Sequence, residues 1–385
     1  MEYFENKTNR WVLGFLAALG VANLLAFAFL FGFHYNNDTD SFLFAIEFFK
    51  GEGNTIFPNR YLNPFYPVVA STLLQFLSAP ESLIVINILF YFVLLFLTYD
   101  LVRRVFESKT VGLVAALLVV SGYPMLRYAL TQVQDIGGYA WFLATIYAGW
   151  RWYEARDKRW LHLAGIAIAF GVLTKESGCM GAFFVGLLIV TARLGLKEKV
   201  ISLSSVAWAP LLTIIVNSAR SHDMAYNSLQ WFIDNWIVFS AENYTFVRWL
   251  GVNATTFNVA WIFFCIALLQ LLRKKWILPP GAMRYLLAVI PSSLSYFAWP
   301  LFIGRTVFIA AWLVIPLAAY GLVRLARHSK GLFISLTLVS VVTPYLLQST
   351  LRYAHVFQIY DQCEKSISCS WKYFWENRQT FSKEL

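Results

Sequence analysis

The chain has 385 residues, of which 59% are hydrophobic and 14% charged, with a formal net charge of +10. Soluble domains carry about 25% charged residues, so this composition excludes an ordinary soluble domain and points to an all-α, polytopic membrane protein. The positive balance does not call for nucleic acid, because the basic residues sit in short clusters between apolar runs, as in cytoplasmic loops.

In chain order, apolar runs occupy about 11–33, 82–101, 111–130, 137–153, 160–173, 178–194, 200–216, 252–272, 285–302, 306–325 and 331–348. Run 11–33 is too long for a signal-peptide core and lacks a clear cleavage site, so it reads as a retained first helix. A polar stretch follows over 34–67 and brings Asp38 and Asp40 just past the end of that helix, with Arg60 further on. Segment 64–79 is short, begins with two prolines and contains Gln75.

Charge decides whether 64–79 spans. If it does not, loops 103–109, 151–160, 193–199, 273–284 and 324–330 lie inside and, with Lys7 and Arg10, hold most of the 31 basic residues. The outer loops before the tail then carry only Lys50, Arg60, Arg127, Lys175, Arg220, Arg248 and Arg305. If it does span, every later loop changes sides and the basic clusters face outward, against the positive-inside rule. The reading is therefore about 11 transmembrane helices, with 64–79 an interfacial or re-entrant helix in the first outer loop. The N-terminus is cytoplasmic, and 1–348 form one transmembrane domain with outer loops 34–81 and 217–251. Residues 349–385 form a short outer tail.

This arrangement gathers the unusual ionisable residues on the outer side: Asp38, Asp40, Arg60, Arg127, Asp135, Lys175, Glu176, His222, Asp223 and Arg305. Charge at membrane depth is costly and is paired or lines a polar cavity. A carboxylate at Asp38 or Asp40 fits a general base toward a hydroxyl; the competing reading is a helix cap for the run 42–50. The Arg60 guanidinium matches an anionic headgroup, or else snorkels to the interface. Lys175-Glu176 is either a ligand-binding doublet in a hairpin or an exposed turn. Arg305, alone in a small loop, is a phosphate ligand or a headgroup anchor. Asp135 reads as a cap for the next helix. Cys179 and Cys265 read as small core residues; Cys363 and Cys369 have a spacing that closes a small loop if the tail meets an oxidising compartment. No Cys/His set has zinc spacing, and no phosphate-binding glycine loop occurs.

The ordered series is Asp in the first loop, Arg-Tyr-Leu-Asn-Pro-Phe-Tyr-Pro at 60–67, Leu-Val-Arg-Arg-Val-Phe-Glu-Ser at 101–108, Thr-Gln-Val-Gln-Asp at 131–135 and Gly-Val-Leu-Thr-Lys-Glu-Ser-Gly at 171–178. It resembles the GT-C superfamily of integral-membrane glycosyltransferases, in its branch of protein O-mannosyltransferases and aminoarabinose transferases. The resemblance covers about 11–195; the C-terminal half resembles the superfamily in topology and in the helix from Arg305 to Pro316. It implies an enzyme that takes a sugar from a polyprenyl- or dolichyl-phosphate donor on the extracytoplasmic face and transfers it with inversion. It also implies Asp40 as base, because Phe44 stands four residues on, with Asp38 the competing choice. Lys175 and Arg305 would bind the donor phosphate, with Arg60 behind them and Glu176, Asp135 and Arg127 in support. Relatives often carry Glu where Asp135 stands, and the large outer domain of some members has no counterpart here. No cofactor is implied with certainty. Some members use a divalent metal and others do not, and Asp38 with Asp40 alone are too few ligands to argue one. The acceptor is open. Two other classes share the pattern: a transporter or flippase of lipid-linked sugars, against which no inverted repeat is found, and a non-catalytic scaffold subunit.

Overall fold

The computed structural model describes residues 2–31, 38–54, 56, 58–220, 246–298, 304–327 and 329–351. Among these the chain is helical, without a β-strand. Residues 221–245, with His222 and Asp223, lie outside the described residues, as do 352–385, with Cys363 and Cys369.

Helix α1 (Glu2–Phe31) precedes three short helices, α2 (Thr39–Lys50), α3 (Pro58–Leu62) and α4 (Phe65–Thr72). With 8 residues, α4 is about 12 Å long and falls far short of a bilayer. The polypeptide then re-enters a long helix, α5 (Ala79–Val105), through a capping box. Ser78 Oγ accepts from the Glu81 amide at 3.4 Å, and Glu81 Oε2 accepts from the Ser78 amide at 3.0 Å. With Pro80 in the first turn, Ser-Ala-Pro-Glu fixes where the span begins.

The next elements are α6 (Lys109–Val120), α7 (Tyr123–Ala129), α8 (Asp135–Ala155), α9 (Arg159–Thr174), a 3-10 turn (Glu176–Gly181), α10 (Ala182–Thr191) and α11 (Leu196–Arg220). Helices α5, α6, α8, α9 and α11 pack side by side in a chain of neighbours. The C-terminal half supplies α12 (Phe246–Phe257), α13 (Val259–Leu272), α14 (Pro280–Leu294), the single-turn α15 (Gly304–Val307), α16 (Ala311–Leu325) and α17 (Lys330–Leu351). Helices α12 and α13 meet at 108° across Asn258, whose φ of 51° breaks the helix.

Among the described residues, four helices are long and apolar enough to cross a membrane: Trp11–Phe29, Ala79–Val105, Leu196–Asn217 and Gly304–Leu325. A fifth span results if the bent pair counts as one, and shorter apolar helices lie beside them. Their outward faces are greasy: Phe29 is 91%, Leu272 71% and Ile215 64% exposed. Such a surface suits lipid and not water, and the chain is an integral membrane protein. Cys265, read from the sequence as a core residue, is on this exposed face. The interior is aromatic, centred on Trp312, Phe142, Phe184, Tyr285 and Phe308; the buried Tyr285 hydroxyl donates to the Trp312 carbonyl at 2.8 Å.

The end of α5 away from Asp38 is tied by one carboxylate. Asp100 accepts from Arg103 Nη2 at 2.5 Å, Arg104 Nε at 2.7 Å and the Tyr147 hydroxyl at 2.8 Å, which joins α5 to α8. Arg104 also reaches Glu154 at 3.4 Å. Asp100→Asn leaves two guanidinium groups without their shared anion. Because the network is partly solvated, the expected loss is about 1–3 kcal/mol, read as earlier thermal unfolding of the detergent-solubilised protein. An unchanged unfolding temperature contradicts this role.

Candidate active site

The motif Arg60-Tyr-Leu-Asn63-Pro-Phe-Tyr66 distributes three polar side chains to three neighbours. Arg60 Nε donates to Ser41 Oγ at 2.8 Å, and its guanidinium lies 3.8 Å from the Phe42 ring centroid, so α3 is held to the first turn of α2. Asn63 Nδ2 donates to the Val172 carbonyl at 2.7 Å in α9. The Tyr66 hydroxyl donates to Asn87 Oδ1 at 2.7 Å, while Asn87 Nδ2 donates to the Thr131 and Val133 carbonyls at 2.7 and 2.8 Å. Asn87 is fully buried and thereby fixes α4, α5 and the segment before α8 in one register. The Pro-broken loop is a clamp around the helix bundle.

That clamp requires close approach at Gly137. A Cβ there would stand 2.5 Å from the Tyr66 ring and hydroxyl oxygen. Gly137→Ala is therefore expected to cost about 1–3 kcal/mol through overpacking and to lower any activity with it. Thermal unfolding checks this: a variant as stable as the parent would mean that Tyr66 relaxes freely. Gly171 and Gly178 make a second close approach, since a Cβ on Gly171 would lie 2.6 Å from the Gly178 backbone. This contact lets the chain fold back after α9. Lys175, extended at φ −162° and ψ 141°, marks the break.

The fold-back sends Lys175 to Asp135, 40 residues earlier, and Lys175 Nζ donates to Asp135 Oδ1. Asp135 is 2% exposed and starts α8, but its side chain makes no cap hydrogen bond: the cap expected from the sequence is replaced by a buried ion pair. One turn on, Tyr139 donates its hydroxyl to the Arg305 carbonyl, so a single face of α8 positions both cations. Arg305 Nη1 reaches Asp38 Oδ2 at 2.8 Å across 267 residues. Asp38 likewise makes no side-chain cap on α2, and Ser41 Oγ donates to its carbonyl at 2.6 Å.

Asp38, Arg305, Asp135, Lys175 and Arg60 thus belong to one cluster, drawn from the start of α2, α3, α8, the α9 fold-back and α15. Burial works to raise the Asp38 carboxyl, yet Arg305 in contact, with Arg60 and Lys175 beyond it, holds it below the usual carboxylate range. Burial also lowers the Arg60 guanidinium below its ordinary value, against the pull of Asp38, Glu176 and Asp135. Arg60 is 7% exposed, and no carboxylate pairs with it among the described residues, whereas Lys175 and Arg305 each hold one. A buried guanidinium without a counter-ion has donors to offer an anion. Ser177 Oγ and Gln134 Oε1, next in sequence to this cluster, are buried without a hydrogen-bond partner.

The other sequence candidates fall around this cluster. Asp40 stands in the first turn of α2 and is exposed, two residues from Asp38. Glu176 opens the 3-10 turn and acts on Arg60 through its charge. Arg127 lies in the last turn of α7, where its carbonyl accepts from Thr131 Oγ1 at 2.7 Å. Ser41, Asn63, Tyr66, Asn87 and Tyr139 carry positioning contacts that sequence reasoning did not single out. The signal available for two of them was the motif spacing, with polar residues three apart at 60, 63 and 66. A divalent ion needs several oxygen ligands. No three His, Cys, Asp or Glu side chains converge among the described residues, and Asp38 and Asp135 are each engaged by a cation. This donor set does not fit a divalent ion.

Compared with solved structures, the chain is similar to the archaeal oligosaccharyltransferase AglB from Archaeoglobus fulgidus, solved in complex with an inhibitory peptide and a dolichol-phosphate. The match has a TM-score of 0.54 at 12% identity and covers 89% of this chain and 55% of that one. At that identity the likeness is one of fold, and the chain spans about half the length of that protein. The chain thus shares the helical fold of that oligosaccharyltransferase. Residues 64–217 match the family model described as dolichyl-phosphate-mannose-protein mannosyltransferase. The two findings bear out the likeness to GT-C glycosyltransferases read from the sequence. No curated protein matches the chain.

Proposed function

We propose that the chain is an inverting glycosyltransferase that takes its sugar from a polyprenyl- or dolichyl-phosphate donor at the extracytoplasmic face. The observation that carries this reading is the convergence of Asp38, Arg305, Lys175 and Arg60 at one end of the bundle. The positive-inside count supports an outward-facing cluster, a cytoplasmic N-terminus and about 11 membrane crossings when the short apolar helices are included.

In the reaction, an acceptor hydroxyl attacks the anomeric carbon from the face opposite the phosphate. The bond from that carbon to the phosphate oxygen breaks, and the lipid phosphate leaves with the electron pair. Asp38 accepts the hydroxyl proton. Arg60, Arg305 and Lys175 stabilise the charge that grows on the leaving phosphate in a partly dry site. The lipid tail keeps the donor in the bilayer, so proximity needs no nucleotide-binding domain. Asp40, the base implied by the resemblance, is the second candidate, two residues away and more exposed.

Pairing with Arg305 makes Asp38 a weak base at rest. A donor phosphate that draws Arg305 away would raise the Asp38 pKa as the acceptor arrives. Arg305→Gln removes the depressing partner, so the acid limb of the pH–rate profile is expected to move to higher pH. A limb that stays in place or moves lower contradicts this assignment. The reading as a whole is tested by mass spectrometry of lipids that co-purify with the protein: a polyprenyl phosphate, depleted in Arg60→Gln, is expected, and a lipid complement without polyprenyl phosphates overturns it.

A further inference from the structure

At the far end of α16 from Arg305, about 30 Å along the helix, lies a cavity of about 600 Å³ lined by Arg324, Arg327, Tyr320, Phe106, Ile277 and Val323, among others. We propose that this cavity binds the headgroup and upper acyl chain of an anionic glycerophospholipid, in the leaflet opposite the candidate active site.

The charge of the cavity is one-sided. No carboxylate lines it, and neither Arg324 nor Arg327 is in an ion pair among the described residues. The arginines nearby on α5 and α8 are different: Arg103, Arg104 and Arg151 are all engaged by Asp100 or Glu154. Arg324 is nevertheless held in place. Its Nε donates to the Tyr320 hydroxyl at 2.9 Å, its guanidinium lies 5.3 Å from the Tyr320 ring, and that hydroxyl donates to the Ile277 carbonyl at 2.8 Å. The remaining guanidinium edge offers paired donors that match phosphate oxygens.

The apolar side selects lipid over a soluble phosphate. Phe106 and Val323 form a greasy wall beside the two arginines, and Ile277 at its mouth is 79% exposed. A free phosphate would leave this wall unused, whereas an acyl chain covers it. The headgroup preference follows from the missing acid. A choline or ethanolamine ammonium would meet two guanidinium groups and no carboxylate, and the Tyr320 ring is already faced by Arg324. A headgroup with net negative charge avoids that repulsion.

Native mass spectrometry of the full-length protein, supplied with equal amounts of phosphatidylglycerol and phosphatidylcholine, tests the proposal. The parent is expected to retain phosphatidylglycerol about tenfold over phosphatidylcholine, because both lipids offer the phosphate and only the choline ammonium is repelled by the two guanidinium groups. Arg324→Gln/Arg327→Gln is expected to lose the preference, and the single exposed Arg327→Gln to lose part of it while folding normally. Arg193→Gln/Lys197→Gln, which removes the same charge from a different basic loop, is expected to retain it. The proposal is overturned if the parent shows no headgroup preference, if the double variant keeps it, or if the control pair loses it equally. It is also overturned if inorganic phosphate alone displaces the lipid, which would mark a phosphate site.

Discussion

Asp38→Asn is expected to lower sugar transfer by about 10²–10⁴-fold, the usual contribution of a positioned general base, while donor binding is kept or becomes tighter. Binding survives because the variant removes an anion from Arg305, which then has both edges of its guanidinium for the phosphate. Asp40→Asn is expected to stay within about threefold of the parent, as substitutions at exposed positions away from the reacting atoms commonly do. The measurement is transfer of labelled mannose from dolichyl-phosphate mannose, and from a panel of other lipid-phosphate sugars, in native membranes. If Asp40→Asn is the variant that abolishes transfer, the base is the one implied by family resemblance and Asp38 is a counter-ion for Arg305. If neither variant changes transfer, neither carboxylate is the base.

Arg60→Gln is expected to raise the donor KM by about 10–100-fold, the loss of a charge-assisted contact of about 1.5–3 kcal/mol. The effect should exceed that of a surface arginine because the group is buried and its burial is opposed only by more distant charges. Part of any loss could come from structure, since Arg60 also bonds Ser41 and covers Phe42. Arg60→Lys separates the two contributions: it retains the charge but loses the fork, and an intermediate KM with unchanged thermal unfolding assigns the effect to the phosphate. A KM equal to the parent in both variants removes Arg60 from the donor site.

Much of the architecture between α1 and α5 was legible in the residues. Pro64 and Pro67 with Gln75 marked a segment unable to span, and the structure has α4 ending at Thr72 and a new helix opening at the Ser78 cap. Apolar runs were less reliable guides to helices. Run 111–130 is two helices separated at Gly122, and run 252–272 is bent at Asn258. Hydropathy reports burial in lipid or protein, and a sharp turn between two greasy helices leaves no polar signature. The site was legible as a set of candidates and not as pairs. Nothing local in Asp135 or Lys175 says that they meet across 40 residues, or that Arg305 reaches Asp38 across 267. Those pairings depend on the Gly171–Gly178 contact and on Tyr139, whose roles follow only from helix packing. Which of Asp38 and Asp40 meets Arg305 is likewise a matter of roughly 200° of rotation at the start of α2, set by packing and not by local sequence.

The most direct test of the central claim is cryo-electron microscopy of the protein with dolichyl phosphate bound. Phosphate density is predicted within hydrogen-bond distance of Arg60 and of at least one of Lys175 and Arg305, with the Asp38 carboxylate turned toward the open space beside it. Phosphate density elsewhere on the bundle, or an Asp38 that stays on Arg305 while the phosphate is bound without either cation, would contradict it.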